Sequence, residues 1–125
     1  MITYSDIKSY CLSKLGAYET YPFGAFPVCY KVSNRIFLEW YPDDTKITVR
    51  CEPVLADFYR QTYSGLVTVG YHCPDRQKPY KNTVFLNTGL QEELVYDMID
   101  HSYDEAVKRL CKKDRLNLGL ENFIQ

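Results

Sequence analysis

The chain has 125 residues and a mass of 14.7 kDa, which fits one domain rather than two. Its 46% hydrophobic and 25% charged residues suffice for a buried core and lack the bias of a disordered chain, while apolar runs of only three residues, such as Ile36-Phe37-Leu38, exclude a membrane-spanning helix. A net charge of -1 and a pI near 6.1 leave no bulk positive field of the kind that marks a strongly basic nucleic-acid binder.

Thr3 is followed three residues later by Asp6, and Ile7, Tyr10, Cys11 and Leu15 then form one apolar stripe, so a helix is expected to run to Gly16. The stretch Glu19 to Pro27 holds two prolines and a glycine among aromatic residues and is expected to be an ordered loop, with Tyr21-Pro22-Phe23-Gly24 mostly buried and anchoring the first helix. Val28 to Val32, Ile36 to Tyr41 and Lys46 to Cys51 read as strands of an antiparallel meander, separated by the turn residues Ser33-Asn34 and Pro42 to Thr45. Alternation places Val28, Tyr30, Val32, Ile47, Val49 and Cys51 on a core face and Lys46, Thr48 and Arg50 on an exposed, partly basic one.

Pro53 suits a helix start, and Val54, Leu55, Phe58, Tyr59 and Thr62 give a helical stripe ending at Ser64-Gly65. Leu66 to Cys73 and Asn82 to Asn87 again read as strands, and the polar, proline-bearing segment Pro74 to Lys81 between them is expected to be a projecting hairpin tip. Leu90, Leu94, Val95, Met98 and Ile99 mark a helix, and Ser102-x-x-Glu105 reads as a capping box that starts another after a break at Asp100-His101-Ser102. The domain is therefore placed at residues 1–113, with 114–125 as a C-terminal tail whose Leu116, Leu118, Leu120, Phe123 and Ile124 suit an extra strand or helix. Strand runs broken by helices, without strict alternation, indicate an α+β fold with an antiparallel sheet covered by helices on one face.

Cys11, Cys29, Cys51, Cys73 and Cys111 are odd in number and form no C-x-x-C pair, so they are expected to be reduced, buried small hydrophobes. No G-x-S-x-G, P-loop or G-x-G-x-x-G motif is present. His72 and His101 are the only histidines, and both are expected to be structural. Asp97 and His101 share a helical face near Asp100 and Asp104, but no third metal ligand is visible. No enzymatic activity, metal or cofactor is expected. Binding is the better-supported class. Twelve tyrosines supply rigid rings with polar tips. Residues 26–85 carry eight Lys or Arg against six Asp or Glu, whereas residues 86–110 carry two against six. Arg76-Gln77-Lys78-Pro79-Tyr80-Lys81 interleaves cations with a ring, a pattern suited to phosphates and sugars, and Lys46 and Arg50 extend the same patch.

Tyr21-Pro22-Phe23-Gly24, Tyr30-Lys31-Val32, Arg50-Cys51-Glu52-Pro53, Gly70-Tyr71-His72, Asn82-Thr83 and Asp100-His101-Ser102-Tyr103 together resemble the MmcQ/YjbR family, in the family's order and across Ser5 to Lys113. The resemblance implies a CyaY-like α+β fold with a double-wing arrangement and DNA binding. Two positions depart from the family pattern: Tyr80-Lys81 stands where a His-Trp pair is usual, and Arg50 where a lysine is usual. Iron binding of the frataxin type, also associated with CyaY-like folds, is disfavoured because the first helix offers only Asp6, with Glu19 beyond its end. The expectations are thus a monomeric, cytoplasmic DNA-binding protein whose contacts are Lys46, Arg50, Arg76, Lys78, Tyr80 and Lys81. The alternative is a protein or small-ligand module using the aromatic Tyr21 to Gly24 region.

Overall fold

The computed structural model describes residues 1–42 and 45–119. Helix α1 (Tyr4–Leu12) starts in a reciprocal cap: the Asp6 N–H donates to Thr3 Oγ1 at 3.2 Å and the Thr3 N–H donates to the Asp6 carboxylate at 2.8 Å. There follow strands β1 (Ala17–Thr20), β2 (Val28–Val32), β3 (Arg35–Tyr41) and β4 (Lys46–Arg50), helix α2 (Pro53–Thr62), β5 (Val67–Val69), a 3-10 helix (Asp75–Tyr80), β6 (Lys81–Phe85), α3 (Glu92–Lys108) and the short α4 (Lys112–Asn117). The strands form one antiparallel sheet in the order β1-β2-β3-β4-β6-β5, giving the expected α+β architecture. Among the described residues no helix is long and apolar enough to cross a membrane.

The helices lie on one face of this sheet. Val28, Tyr30, Leu38, Trp40, Ile47, Val49 and Val84 occupy that face and meet Ile7 and Cys11 of α1 and Val95, Met98, Ile99, Ala106 and Val107 of α3. A bulge in the β2–β3 pairing, between Tyr30/Lys31 and the partners Leu38/Ile36, leaves Phe37 as an extra residue. The bulge lets both Phe37 and Leu38 be buried, with the Phe37 ring edge-on to Tyr103 at 5.3 Å. The tyrosines of the β1 end converge on one carboxylate: the hydroxyls of Tyr4, Tyr21 and Tyr30 donate to Glu19 at 2.9, 2.6 and 2.7 Å.

Burial alone would raise the Glu19 pKa, but the three hydroxyl donors outweigh it and hold the carboxyl below its ordinary value of 4.5. The folded chain therefore binds the ionised form more strongly than the unfolded chain does. Its contribution is complete above the ordinary value and is lost as pH falls through the lower folded value. Glu19→Ala should cost about 1.5 to 3 kcal/mol at neutral pH, because it removes a charged acceptor from the buried Tyr30 hydroxyl. Urea unfolding measures this, and the variant should show a smaller loss than wild type between neutral pH and pH values below the ordinary glutamate range.

Several elements differ from the sequence reading. β1 is a strand, paired Glu19 to Tyr30, where a loop was expected from Glu19 onward. Helix α3 runs unbroken through Asp100-His101-Ser102. Ser102 does not cap a helix: its hydroxyl is fully buried, donates to the Phe37 carbonyl at 2.5 Å and accepts from the Arg50 N–H at 2.8 Å, tying α3 to the bulge. On α2 the inward side is Ala56 with Tyr59, while Val54 and Phe58 are exposed. Cys11, Cys29 and Cys51 are buried as expected, and burial pushes each thiol up to about 12, but Cys73 is half-buried and Cys111 exposed. The 114–125 segment begins as the end of α4, and Leu118 packs against Gly16. Leu120, Phe123 and Ile124, and Asp43-Asp44 of the predicted turn, lie outside the described residues.

The expected strand Leu66 to Cys73 is cut short. Gly70 approaches β6 so closely that a Cβ there would lie 2.7 Å from the Lys81 Cβ. Beyond it the Tyr71 N–H donates to the Thr83 side-chain Oγ1 at 2.8 Å instead of to a backbone carbonyl of β6, and His72 adopts a left-handed φ of 53°. The chain thus turns out of the sheet into the 3-10 helix, which packs against α2 and is tied down by the Cys51 N–H donating to the Tyr80 carbonyl at 2.8 Å. The expected projecting hairpin tip is therefore a folded-back turn of helix.

Candidate functional site

The sheet face away from the helices is built from the alternate residues of the same strands. Cys29, Glu39, Thr48 and Thr83 stand opposite one another across β2, β3, β4 and β6, and Arg50 stands opposite Lys81. Two segments rise beside this face. One is the β1–β2 loop, where Phe23 and Phe26 are 64% and 55% exposed. This corrects the expectation that Tyr21-Pro22-Phe23-Gly24 is buried: the proline and glycine turn the chain away from the sheet, and Tyr21 to Phe26 are all exposed. The other is the turn Tyr71 to Pro74 leading into the 3-10 helix.

Between the two segments lies a cavity of about 580 Å³, walled by Phe23 and Phe26 on one side and Tyr71, His72 and Pro74 on the other, with Glu39, Thr48 and Lys81 lining it from the sheet. His72, expected to be structural, is an exposed wall residue whose ring lies 3.9 Å from that of Tyr71. His101 does have a structural bond, its Nε2 accepting from the Glu52 N–H at 3.1 Å. Among the described residues no three His, Cys, Asp or Glu side chains group in a metal-binding arrangement.

A second cavity of about 290 Å³ adjoins the first and shares Phe23, Glu39, Gln77 and Lys81 with it. Its character is different, because Lys31, Arg35, Arg50, Lys81 and Arg109 line it and Glu39 is its only carboxylate among the described residues. None of these five cations has an ion-pair partner among the described residues. Burial pushes the Arg50 guanidinium below its ordinary pKa, against partial offsets from Glu105 and Tyr80 and with a smaller push in the same direction from Arg35. Partial desolvation, followed by Arg50 and Arg35, acts on Arg109 in the same direction.

The six contacts predicted from sequence separate in this geometry. Arg50 and Lys81 line the basic cavity, and the Arg50 guanidinium lies over the Tyr80 ring, 5.0 Å from its centroid. Lys46 is not an exposed contact. It is 4% exposed, with the rings of Tyr71 and Tyr41 over it at 3.9 and 5.6 Å from Nζ, and its neighbour Thr48 is 3% exposed at the base of the cleft. Arg76 and Lys78 line neither cavity, and Lys78 is paired with Asp75 at 2.7 Å. Lys31, Arg35, Arg109, Phe23, Phe26 and Tyr71 were missed. For Lys31 a signal existed, since the inward alternation of Val28, Tyr30 and Val32 sends it to the other face. For Arg109, at the C-terminal end of α3, no local pattern exists.

A model of the YjbR family matches residues 12–105. The chain belongs to the YjbR family. It is 26% identical over 118 residues to the Escherichia coli K12 protein YjbR, itself described as uncharacterised, covering 91% of this chain and 95% of that one; the O157:H7 protein matches equally. Among solved structures, Deinococcus radiodurans protein DR2400, with a DUF419 domain, superposes with a TM-score of 0.86 at 24% identity over 100% of this chain and 94% of that one. A Pseudomonas syringae protein superposes with a TM-score of 0.69 at 17% identity, over 84% of this chain and 99% of that one. These two likenesses extend the shared fold across nearly the whole chain.

Proposed function

We propose that this YjbR-family protein binds single-stranded nucleic acid, DNA in the first instance, along the uncovered sheet face, without a catalytic step of its own. The observation that carries this reading is the juxtaposition of exposed Phe23 and Phe26 with five cations that lack ionic partners among the described residues. Proteins that hold single strands use that combination: rings on which successive bases stack, beside a positive groove that follows the phosphates. The net charge of -1 does not oppose it, because the carboxylates are concentrated elsewhere and the basic cavity has one acidic residue against five basic ones. A wing inserted into a duplex groove is less well supported, since Arg76 and Lys78 sit on a folded-back 3-10 helix and Lys78 is already paired.

Fluorescence anisotropy with a labelled oligothymidylate and a duplex of equal length tests the reading. The strand should bind more tightly than the duplex, with a log-log salt slope of about -0.7 per phosphate neutralised. Replacing Lys31 and Lys81 together by Gln should reduce the slope by about 1.4. Tighter duplex binding, or a flat salt response, would sink it. The second reading, a small-ligand or protein module, draws support from the cleft volume of about 580 Å³ and its ring-lined walls, which fall in the range of small-molecule sites.

A further inference from the structure

Arg35, Arg50 and Arg109 come from the start of β3, the end of β4 and the C-terminal end of α3, and line one small cavity. Arg35 donates from Nη2 to the Arg109 carbonyl at 3.2 Å, which fixes its guanidinium against the end of α3. Its Nε is buried and has no hydrogen-bond partner. Like charges gathered at one cavity repel, and a single anion between them would relieve that repulsion. Planar guanidinium groups bond phosphate oxygens in pairs, which favours that anion over a halide.

We propose that Arg35, Arg50 and Arg109 form a binding site for one phosphate group, and that a ligand carrying this phosphate places an attached ring in the adjoining cleft between Phe23 and Tyr71. The shared residues Phe23, Gln77 and Lys81 make the two cavities neighbours, close enough for one nucleotide-sized ligand to place its phosphate in one and its base in the other. The inference rests on the strand reading only for the source of the phosphate. A strand supplies it as a diester and a free mononucleotide as a monoester, and the recognition chemistry is the same.

The test titrates the wild-type chain with inorganic phosphate, thymidine, thymidine monophosphate and oligothymidylate while following the arginine Nε–Hε resonances by NMR. Inorganic phosphate should shift Arg35, Arg50 and Arg109 with a Kd of the order of 1 mM, thymidine monophosphate should bind about tenfold more tightly, and thymidine should bind far more weakly than its monophosphate. Arg109→Met, on an exposed side chain, should weaken phosphate binding about tenfold with an unchanged melting temperature, and Arg50→Lys should weaken it less because it keeps the charge. Absence of arginine shifts at about 10 mM phosphate, or equal phosphate affinity in Arg109→Met, overturns the site. The strand reading fails separately. If the monophosphate binds and the oligomer binds no more tightly, the phosphate site stands and its ligand is a free phosphorylated small molecule. If the oligomer alone binds, the strand reading stands and the phosphate site falls.

Discussion

Phe37→Ala should destabilise the protein by about 3 to 5 kcal/mol, the range for removing a fully buried ring from a packed core. Phe37 is 1% exposed and sits at the bulge where β3 meets α3, with Tyr103 edge-on to it and Ser102 bonded to its carbonyl. The ring cannot be replaced by relaxation of one neighbour, because it is fixed between the sheet and a helix of 17 residues that meets three strands. The loss also reaches the binding face: the same Ser102 hydroxyl accepts from the Arg50 N–H, so loosening the bulge displaces the strand end that presents Arg50. Chemical denaturation with an unchanged m-value would report a pure loss of stability. A cost below about 1 kcal/mol would mean that the bulge is not part of the core.

The opposite pattern is expected for the rings of the β1–β2 loop. Phe23→Ala combined with Phe26→Ala should weaken oligothymidylate binding by about 1 to 3 kcal/mol for each base that stacks on them. Their effect on stability should stay within about 0.5 kcal/mol, since neither ring contributes to the core. Exposed aromatic side chains on a loop held by proline and glycine are available to a ligand at little conformational cost. Anisotropy titration and thermal unfolding of the double variant separate the two effects. Unchanged strand affinity would remove stacking from the mechanism, and a large fall in melting temperature would show that the loop does anchor the fold.

The three phenylalanines, Phe37 in the core and Phe23 and Phe26 on the loop, mark the boundary between what was legible in the sequence and what was not. Strand and helix periodicities located β2, β3, β4, α1, α2 and α3, because alternation of Val28, Tyr30 and Val32 and the spacing of Leu94, Val95, Met98 and Ile99 are local consequences of which face meets the core. The family was legible for a related reason, since short segments in a set order reflect one shared chain path. β1 was missed because its four residues run into a proline and glycine, and its pairing with β2 is a contact between chain segments rather than a property of either.

Tertiary structure alone decided the exposure of Phe23, the continuity of α3 and the composition of the site. Tyr21 to Phe26 are as apolar as a core segment, yet among the described residues no α-helix covers the sheet face they border to complete a core there. Ser102 carries a capping pattern, but a buried carbonyl at the Phe37 bulge competes for its hydroxyl and wins. Lys46 and Arg50 alternate identically along β4, yet the rings of Tyr41 and Tyr71 lie over the first while the second lines the basic cavity. The basic cavity gathers residues 31, 35, 50, 81 and 109, which no window of sequence contains. Hydrophobic periodicity is short-ranged and survives in the chain, whereas a binding surface is made of side chains whose proximity is created by folding.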